Sequence, residues 1–400
     1  MTVLERLQAQ LKHLNGIDFY RRKFQGASMD VGDIASLDDF QKIPFTAAKE
    51  FQEEIKKPPA QCSLYNPQVT RVNFSPSGQD LYPVYQTNQD LEVMHRVCAR
   101  SLESAGVTPQ DMVAVTFGYH LFIAGLFYQG QFEYYGSKVI PLGPGESARA
   151  VQLINDYKIG VLVSNPTFAM KLAEQGIPSV HTIFVGGEPF TSVQGYSEKV
   201  RAAFERDITI IDSYSMALCM PIARSCGHNT GLHIMDDFVY AEVIDPVTGS
   251  PLPLGEKGEL VLTHLHKQAA PLLRYRTGDL TVLQRTSCAC GRELTMPQSV
   301  IGRTDEMLKI KGVKFWPSQI ATILRSYPQL SSRYRVEVDS LEGVDTLSLV
   351  IEGTPDSAMV LDKLASHLKT ETLLKFNEIR ITEKLEDGPS VVDKRKGRSF

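Results

Sequence analysis

The stretch LLRYRTGDL, Leu272–Leu280, runs from an apolar strand into a Thr-Gly-Asp turn. Such a turn presents a single carboxylate, Asp279, and one carboxylate can accept both hydroxyls of a vicinal diol such as a ribose. Two other turns have the chemistry to hold a flat heterocycle. Val185–Phe190 reads VGGEPF, a Gly-rich loop after a strand, with Gly186, Gly187 and Glu188 at the bend. Ile211–Met216 reads IDSYSM, a strand end carrying Asp212, Tyr214 and Ser215. Ligands of parallel α/β sheets bind at such carboxyl ends. A third constellation suits a metal. Cys288 and Cys290 lie in TSCACGREL, and Cys226 and His233 lie in CGHNTGLHI. Three thiolates and an imidazole form a tetrahedral zinc set, with His228 as a competing imidazole. Four protein ligands leave no open position, so the site reads as structural.

These groups need a scaffold. From about residue 108 to 300, short apolar runs (DMVAVTF, KVIPLG, IGVLVS, TIFVGG, ITIIDSY) alternate with helix-period segments. That alternation predicts a largely parallel sheet covered by helices. From Phe238 the texture changes to strands joined by Pro/Gly turns, an antiparallel β-rich subdomain. After Arg303 a small α/β unit follows. The expected class is α/β, with a large domain over residues 1–302 and a small C-terminal α/β domain over 303–400.

The bulk numbers are consistent with this. The chain has 400 residues, enough for two or three domains, and 42% apolar content gives a large core. A net charge of −4, with no basic run interleaved with aromatics, argues against nucleic-acid and membrane partners. The opening MTVLERLQAQLKHL is a mixed-charge amphipathic helix pattern, not a signal peptide, and Met112–Tyr128 is short for a membrane span. Six cysteines do not make a disulfide framework, so a reducing cytoplasmic setting is expected. Cys62, Cys98 and Cys219 read as ordinary buried thiols.

The order VGGEPF, IDSYSM, RTGD, then IGRTDEMLKIKG resembles the signature of adenylate-forming enzymes, in particular the phenylacetate–coenzyme A ligase branch. The N-terminal IDFYRRKF and KIPFT segments resemble the opening of the same branch, and the Cys/His set resembles one that binds zinc in some of its members. The resemblance implies a large domain with a small mobile lid. It also implies a reaction: a carboxylic acid is joined to AMP from ATP, then passed to coenzyme A or a carrier-protein thiol. On that reading Asp279 holds the ribose, and Gly186, Gly187 and Tyr214 hold adenine. Arg303 reaches the nucleotide, Asp305 is the hinge, and Lys311-Gly312 line the pantetheine path. Lys394 neutralises charge that develops on the carboxylate and α-phosphate. Phe117, Tyr119, His120 and Gly125 wall the acyl pocket and suit an aryl or otherwise apolar acid. Relatives include homodimers, so a dimer is also an expectation.

Two parts depart from the resembled pattern. The triphosphate loop is reduced to FSPSGQD, keeping Ser75, Ser77 and Gly78, with Pro76 removing a donor N–H and Asp80 adding negative charge. Where the family places a Mg²⁺-binding glutamate, this chain has Leu218, and a hydrocarbon cannot ligate a hard cation. Both changes weaken MgATP use. They leave open an acyltransferase on the same scaffold, passing a preformed acyl group to a thiol without ATP, or a non-catalytic acyl or nucleotide binder.

Overall fold

Runs such as Val161–Ser164 and Thr182–Val185 are apolar at three of their four positions, which suits strands buried on both faces. In the computed structural model they are. The structure describes residues 1–395 apart from 78–79, 194, 229–230, 305–307, 311–312, 316, 342–343, 355–358, 373 and 387. These divide into two units: Met1–Thr277 with Thr281–Val300, and Gly278–Leu280 with Ile301 onward.

The first unit opens with helices α1 (Val3–Asn15), α2 (Asp18–Gly26), α3 (Leu37–Phe40) and α4 (Ala48–Ile55). Thr2 and Glu5 close a capping box at the start of α1. Next comes an antiparallel hairpin, β1 (Val69–Ser77) and β2 (Asp80–Thr87), with Ser77 opposite Asp80. The segment read as a loop for phosphates is therefore a hairpin end. Its flanks pair strand to strand because Val69–Phe74 and Leu81–Tyr85 are rich in β-branched and aromatic residues.

Helix α5 (Asn88–Ser104) leads into the βα alternation: β3 (Met112–Val115), α6 (Ala124–Tyr135), β4 (Lys138–Ile140), α7 (Ser147–Asp156), β5 (Val161–Ser164), α8 (Pro166–Ala173), β6 (Thr182–Val185), α9 (Tyr196–Phe204) and β7 (Thr209–Met216). The strands lie in the order β4-β3-β5-β6-β7, all parallel. Alternate residues face opposite sides. Val113, Val163, Phe184 and Ile211 pack with Val97 and Phe132 of α5 and α6. Leu162, Ile183 and Ile210 pack with Ile154, Leu172 and Val200 of α7, α8 and α9.

The antiparallel region begins earlier than the change of texture at Phe238. β8 (Cys219–Ser225) returns against β7 and is followed by β9 (Leu232–Ile234) in the same sheet. Only Ala217 and Leu218 separate β7 from β8, too few for a crossover helix. β10 (Val239–Ile244), β11 (Lys257–His264) and β12 (Tyr275–Val282) form a second sheet. β13 (Gln284–Arg285) and β14 (Leu294–Met296) complete the edge of the first.

In the second unit, β15 (Gly302–Arg303) pairs with Asp279 and Leu280, and β16 (Leu308–Ile310) with β17 (Val313–Phe315). Then come α10 (Ser318–Leu324), β18 (Tyr334–Leu341), β19 (Val344–Glu352), α11 (Leu361–Thr372), β20 (Glu378–Thr382) and β21 (Val391–Asp393). Their sheet runs β20-β19-β18-β21 over a separate core that includes Phe315, Val336, Leu349 and Leu364. No described helix is long and apolar enough to cross a membrane.

Candidate active site and metal centre

The strand that carries Asp279, β12, is anchored through Arg274 just before it and Arg276 on it. Arg274 is buried and makes two bonds to Glu242, Nε to Oε2 at 3.2 Å and Nη2 to Oε1 at 3.0 Å. Its Nη1 donates to the Gln41 and Ile43 carbonyls, and its guanidinium lies 4.1 Å from the Phe45 ring centroid. Arg276 pairs with buried Glu259. Thr46, from the N-terminal KIPFT turn, donates its N–H to Arg274 O at 3.0 Å and accepts from Arg276 N–H at 3.0 Å. The arginines of LLRYR are thus struts, and the N-terminal segment grips the same strand. Sequence reasoning missed this function of theirs; the spacing of Arg274 and Arg276 on one strand face was the available signal.

Within the second unit, Asp279 accepts Nη1 of Arg303 at 2.6 Å. Thr304 N–H donates to Gly278 O at 2.7 Å and Ile301 N–H to Leu280 O at 2.9 Å. Gly278 has φ +76°, and a Cβ there would lie 2.9 Å from Arg303 Nη2. Only glycine fits here without strain; the expected Thr-Gly-Asp turn is an irregular point inside β12, because Asp279 and Leu280 continue the strand by pairing with β15. The result is one mostly buried carboxylate held beside one half-exposed guanidinium, suited to a diol and an anion respectively. Lys394 follows β21, its Nζ 3.3 Å from Glu337 Oε2. The basic run is not a solvated tail throughout: Arg395 is buried between Asp393 and Asp345. Asp305, Lys311 and Gly312 lie outside the described residues, as does Gly78.

In the first unit, adjacent parallel strands β6 and β7 bring the two expected adenine walls together, with Val185 opposite Asp212. A Cβ on Gly186 would meet Tyr128 Oη at 3.1 Å and Ser213 O at 3.3 Å, so any side chain there would crowd both. Gly187 has φ +78° and would meet the Phe117 ring at 3.5 Å. Asp212 is buried and accepts Thr191 N–H at 3.1 Å; burial pushes its carboxyl up, and the Thr191 bonds oppose this. It braces the loop after β6. Glu188 accepts the Thr167 hydroxyl at 2.7 Å. Tyr214 and Ser215 are partly exposed at the end of β7.

Phe117 stacks on Tyr128 of α6, centroids 5.3 Å apart and 10° from parallel. The aromatic wall therefore meets the Gly186-Gly187 turn. Tyr119 is half-buried, and its phenol is raised by burial and by Glu133. His120 is exposed. Gly125 is there for packing: a Cβ would lie 2.4 Å from Gly118 O. The hairpin docks on the same segment, Phe74 N–H donating to Leu121 O at 2.8 Å. Ser75 is partly buried on β1; Ser77 is at its end, its side chain outside the described set. Leu218 is buried at the β7–β8 turn and offers no oxygen to a cation.

The Cys/His set converges. Cys226 follows β8, His233 is on β9, and Cys288 and Cys290 are on the turn between β13 and β14. Their ligand atoms all lie within 4.8 Å of one another. Cys226 Sγ is 3.4 Å from His233 Nε2 and 3.6 Å from Cys288 Sγ. Tetrahedral Zn–S bonds of about 2.3 Å give S···S edges of about 3.8 Å, so the donor set fits zinc. Burial and Arg292 lower the His233 imidazole, keeping it neutral as a ligand must be. Arg292 is itself gripped by Asp236 and Asp237. His228 is exposed and gives Cys226 Sγ only a backbone N–H, at 3.4 Å. Cys62, Cys98 and Cys219 are buried.

Residues 312–386 match the AMP-binding enzyme C-terminal domain family. Over 347 residues the chain is 35% identical to a phenylacetate-coenzyme A ligase of Thermus thermophilus, covering 84% of this chain and 77% of that one. Over 365 residues it is 33% identical to the phenylacetate-coenzyme A ligase of Escherichia coli K12, covering 87% and 81%. Among solved structures, an open conformation of 2-hydroxyisobutyryl-CoA ligase with 2-HIB-AMP and CoA has a TM-score of 0.83 at 24% identity. That match covers 98% of this chain and 91% of the other, and shows a common fold.

Proposed function

The chain belongs to the phenylacetate–coenzyme A ligase family of adenylate-forming enzymes, and on that footing we propose that it joins a carboxylic acid to coenzyme A through an acyl-AMP. The carboxylate oxygen attacks the α-phosphorus of ATP and pyrophosphate leaves. The thiol sulfur then attacks the acyl carbon, and AMP leaves as the carbon–sulfur bond forms. The observation that carries this reading is the Asp279–Arg303 pair beside Gly278 on β12. Asp279 takes the ribose hydroxyls and Arg303 the nucleotide's negative charge. Gly186, Gly187 and Tyr214 receive adenine; Phe117 and Tyr119 face an aryl acid. Lys394, leaving Glu337, neutralises the developing charge. The second unit is the mobile lid, with Asp305 as its hinge.

Leu218 is buried and offers no oxygen to Mg²⁺. The same leucine favours a second reading, thioester-to-thiol acyl transfer without ATP. ATP–pyrophosphate exchange with a panel of aryl acids separates the two. Acid-dependent exchange supports the ligase. No exchange, but acyl transfer from a supplied thioester to a thiol, supports the transferase. Neither activity with nucleotide binding intact reduces the chain to a binder.

Cys226, His233, Cys288 and Cys290 would hold a structural zinc, a cross-link between β8, β9 and the β13–β14 turn. Metal analysis of the purified protein should find about one zinc per chain, and Cys226→Ser should abolish most of it. Stripping the metal should lower the unfolding midpoint, since binding energy at such sites is folding energy. A wild-type protein free of zinc when purified without chelator would refute the assignment.

A further inference from the structure

A cleft of about 210 Å³ opens in the first unit, lined by none of the residues assigned above to nucleotide, acyl group or zinc. Helix α1 lends it Gln10 and His13, α5 lends Gln89 and Arg96, and the link from β11 to β12 lends His266 and Gln268. The rest of its lining is apolar. Helix periodicity gathers these groups: Gln10 and His13 are three residues apart and Gln89 and Arg96 seven, so each pair shares one helix face. Gln10 Nε2 donates to Lys267 O at 2.8 Å, and His13 Nε2–H donates to Gln268 O at 3.1 Å. Both bonds tie the link to α1. The second also fixes the His13 tautomer and leaves Nδ1 to take a proton.

Three basic side chains, His13, Arg96 and His266, thus converge, and no carboxylate is among the described residues that line the cleft. The acids of the adjoining elements are engaged elsewhere. Asp236 and Asp237 pair with Arg292. Asp90 braces the link, accepting N–H groups of Thr87, Gln268 and Ala269, and lies 3.8 Å from Lys267 Nζ. Glu92 lies 3.5 Å from Arg96 Nη1, but both side chains are more than half exposed, so the pair holds the guanidinium weakly. Burial, Arg6 and Arg96 lower the His266 imidazole, with Asp237 opposing them. The cleft therefore has a surplus of positive charge and of N–H donors.

We propose that this cleft binds a small dianionic oxyanion, a phosphate group or its equivalent, through Arg96, His266 and His13. Its size favours a small occupant, since pockets for drug-sized ligands run to about 300–1,000 Å³. Its chemistry favours a tetrahedral dianion. The guanidinium fork meets two oxygens at once, and the two imidazoles supply further donors and, when protonated, further charge. A monocarboxylate would answer only part of that set. The inference goes beyond the ligase reading and does not depend on it.

The test is calorimetric titration of the full chain with sulfate at constant ionic strength, because sulfate stays dianionic between pH 6 and pH 8. Binding should be about fivefold or more tighter at pH 6, since a dianion draws protons onto His266 and His13. Arg96→Gln and His266→Gln should each weaken it by about fivefold or more, and His266→Gln should flatten its pH dependence. Acetate should bind at least about tenfold more weakly than sulfate. Inorganic phosphate and glycerol 3-phosphate, compared at pH 7, identify the source: equal affinity points to free phosphate, tighter binding of the ester to a phosphorylated metabolite, and both support the site. Arg303→Gln controls for the nucleotide site. Sulfate binding lost in Arg303→Gln but kept in Arg96→Gln overturns the inference. So does the absence of sulfate binding at pH 6, acetate bound as tightly as sulfate, or affinity unmoved by pH in the wild type. The wild-type pH series decides the matter even if a variant fails to fold.

Discussion

Asp279→Asn should lower acid-dependent pyrophosphate exchange by about 10²–10³-fold while leaving the unfolding midpoint close to wild type. The estimate follows from the chemistry of the carboxylate. An ionised carboxylate accepting two hydroxyls makes two charge-assisted bonds, each contributing roughly 1.5–3 kcal/mol. An amide keeps the size but offers one acceptor and no charge. The fold should tolerate it because Arg303, the present partner of Asp279, is 44% exposed and can be solvated when the pair is broken. The loss should fall mainly on the KM for ATP. Wild-type kinetics in Asp279→Asn would remove Asp279 from the nucleotide site.

The second large effect is on stability. Glu242→Gln should cost about 3–5 kcal/mol, because it leaves the buried charge of Arg274 without its counter-ion. The two side chains are only 2% and 3% exposed, so water cannot take over. Arg274 also sits at φ +41°, a backbone state disfavoured for any residue with a Cβ and kept by the surrounding bonds. Urea unfolding followed by circular dichroism should show a lower midpoint with an unchanged slope. A shift of less than about 0.5 kcal/mol would mean that the carbonyls of Gln41 and Ile43 and the Phe45 ring suffice to hold the guanidinium.

Much of the scaffold was legible in the sequence. Short apolar runs alternating with helix-period segments predict parallel strands under helices, and the Gly-rich and Tyr-bearing segments read as two candidate walls at the carboxyl ends of such strands. The Cys/His set was legible because its residue types are rare and chemically narrow. What escaped notice depends on pairings distant in the chain. Glu242 lies 32 residues from Arg274, and Asp345 lies 50 residues from Arg395. Neither spacing has a local signature, so LLRYR read as part of a ligand signature and Arg395 drew no attention. The start of the antiparallel region was misplaced because the Ala217-Leu218 link between β7 and β8 carries no Gly, Asn or Asp turn signal. The hairpin around Ser75 and Ser77 was read through its likeness to a phosphate loop, which drew attention from the strand propensity of its flanks.

The most direct test of an acyl-AMP route is isotopic. The acid is supplied with ¹⁸O in its carboxyl group, together with ATP and coenzyme A, and the products are examined by mass spectrometry. If the carboxylate attacks the α-phosphorus, one ¹⁸O must leave on AMP as the thioester forms, and pyrophosphate must carry none. Thioester formed with unlabelled AMP, or with ADP and phosphate as products, would contradict the account.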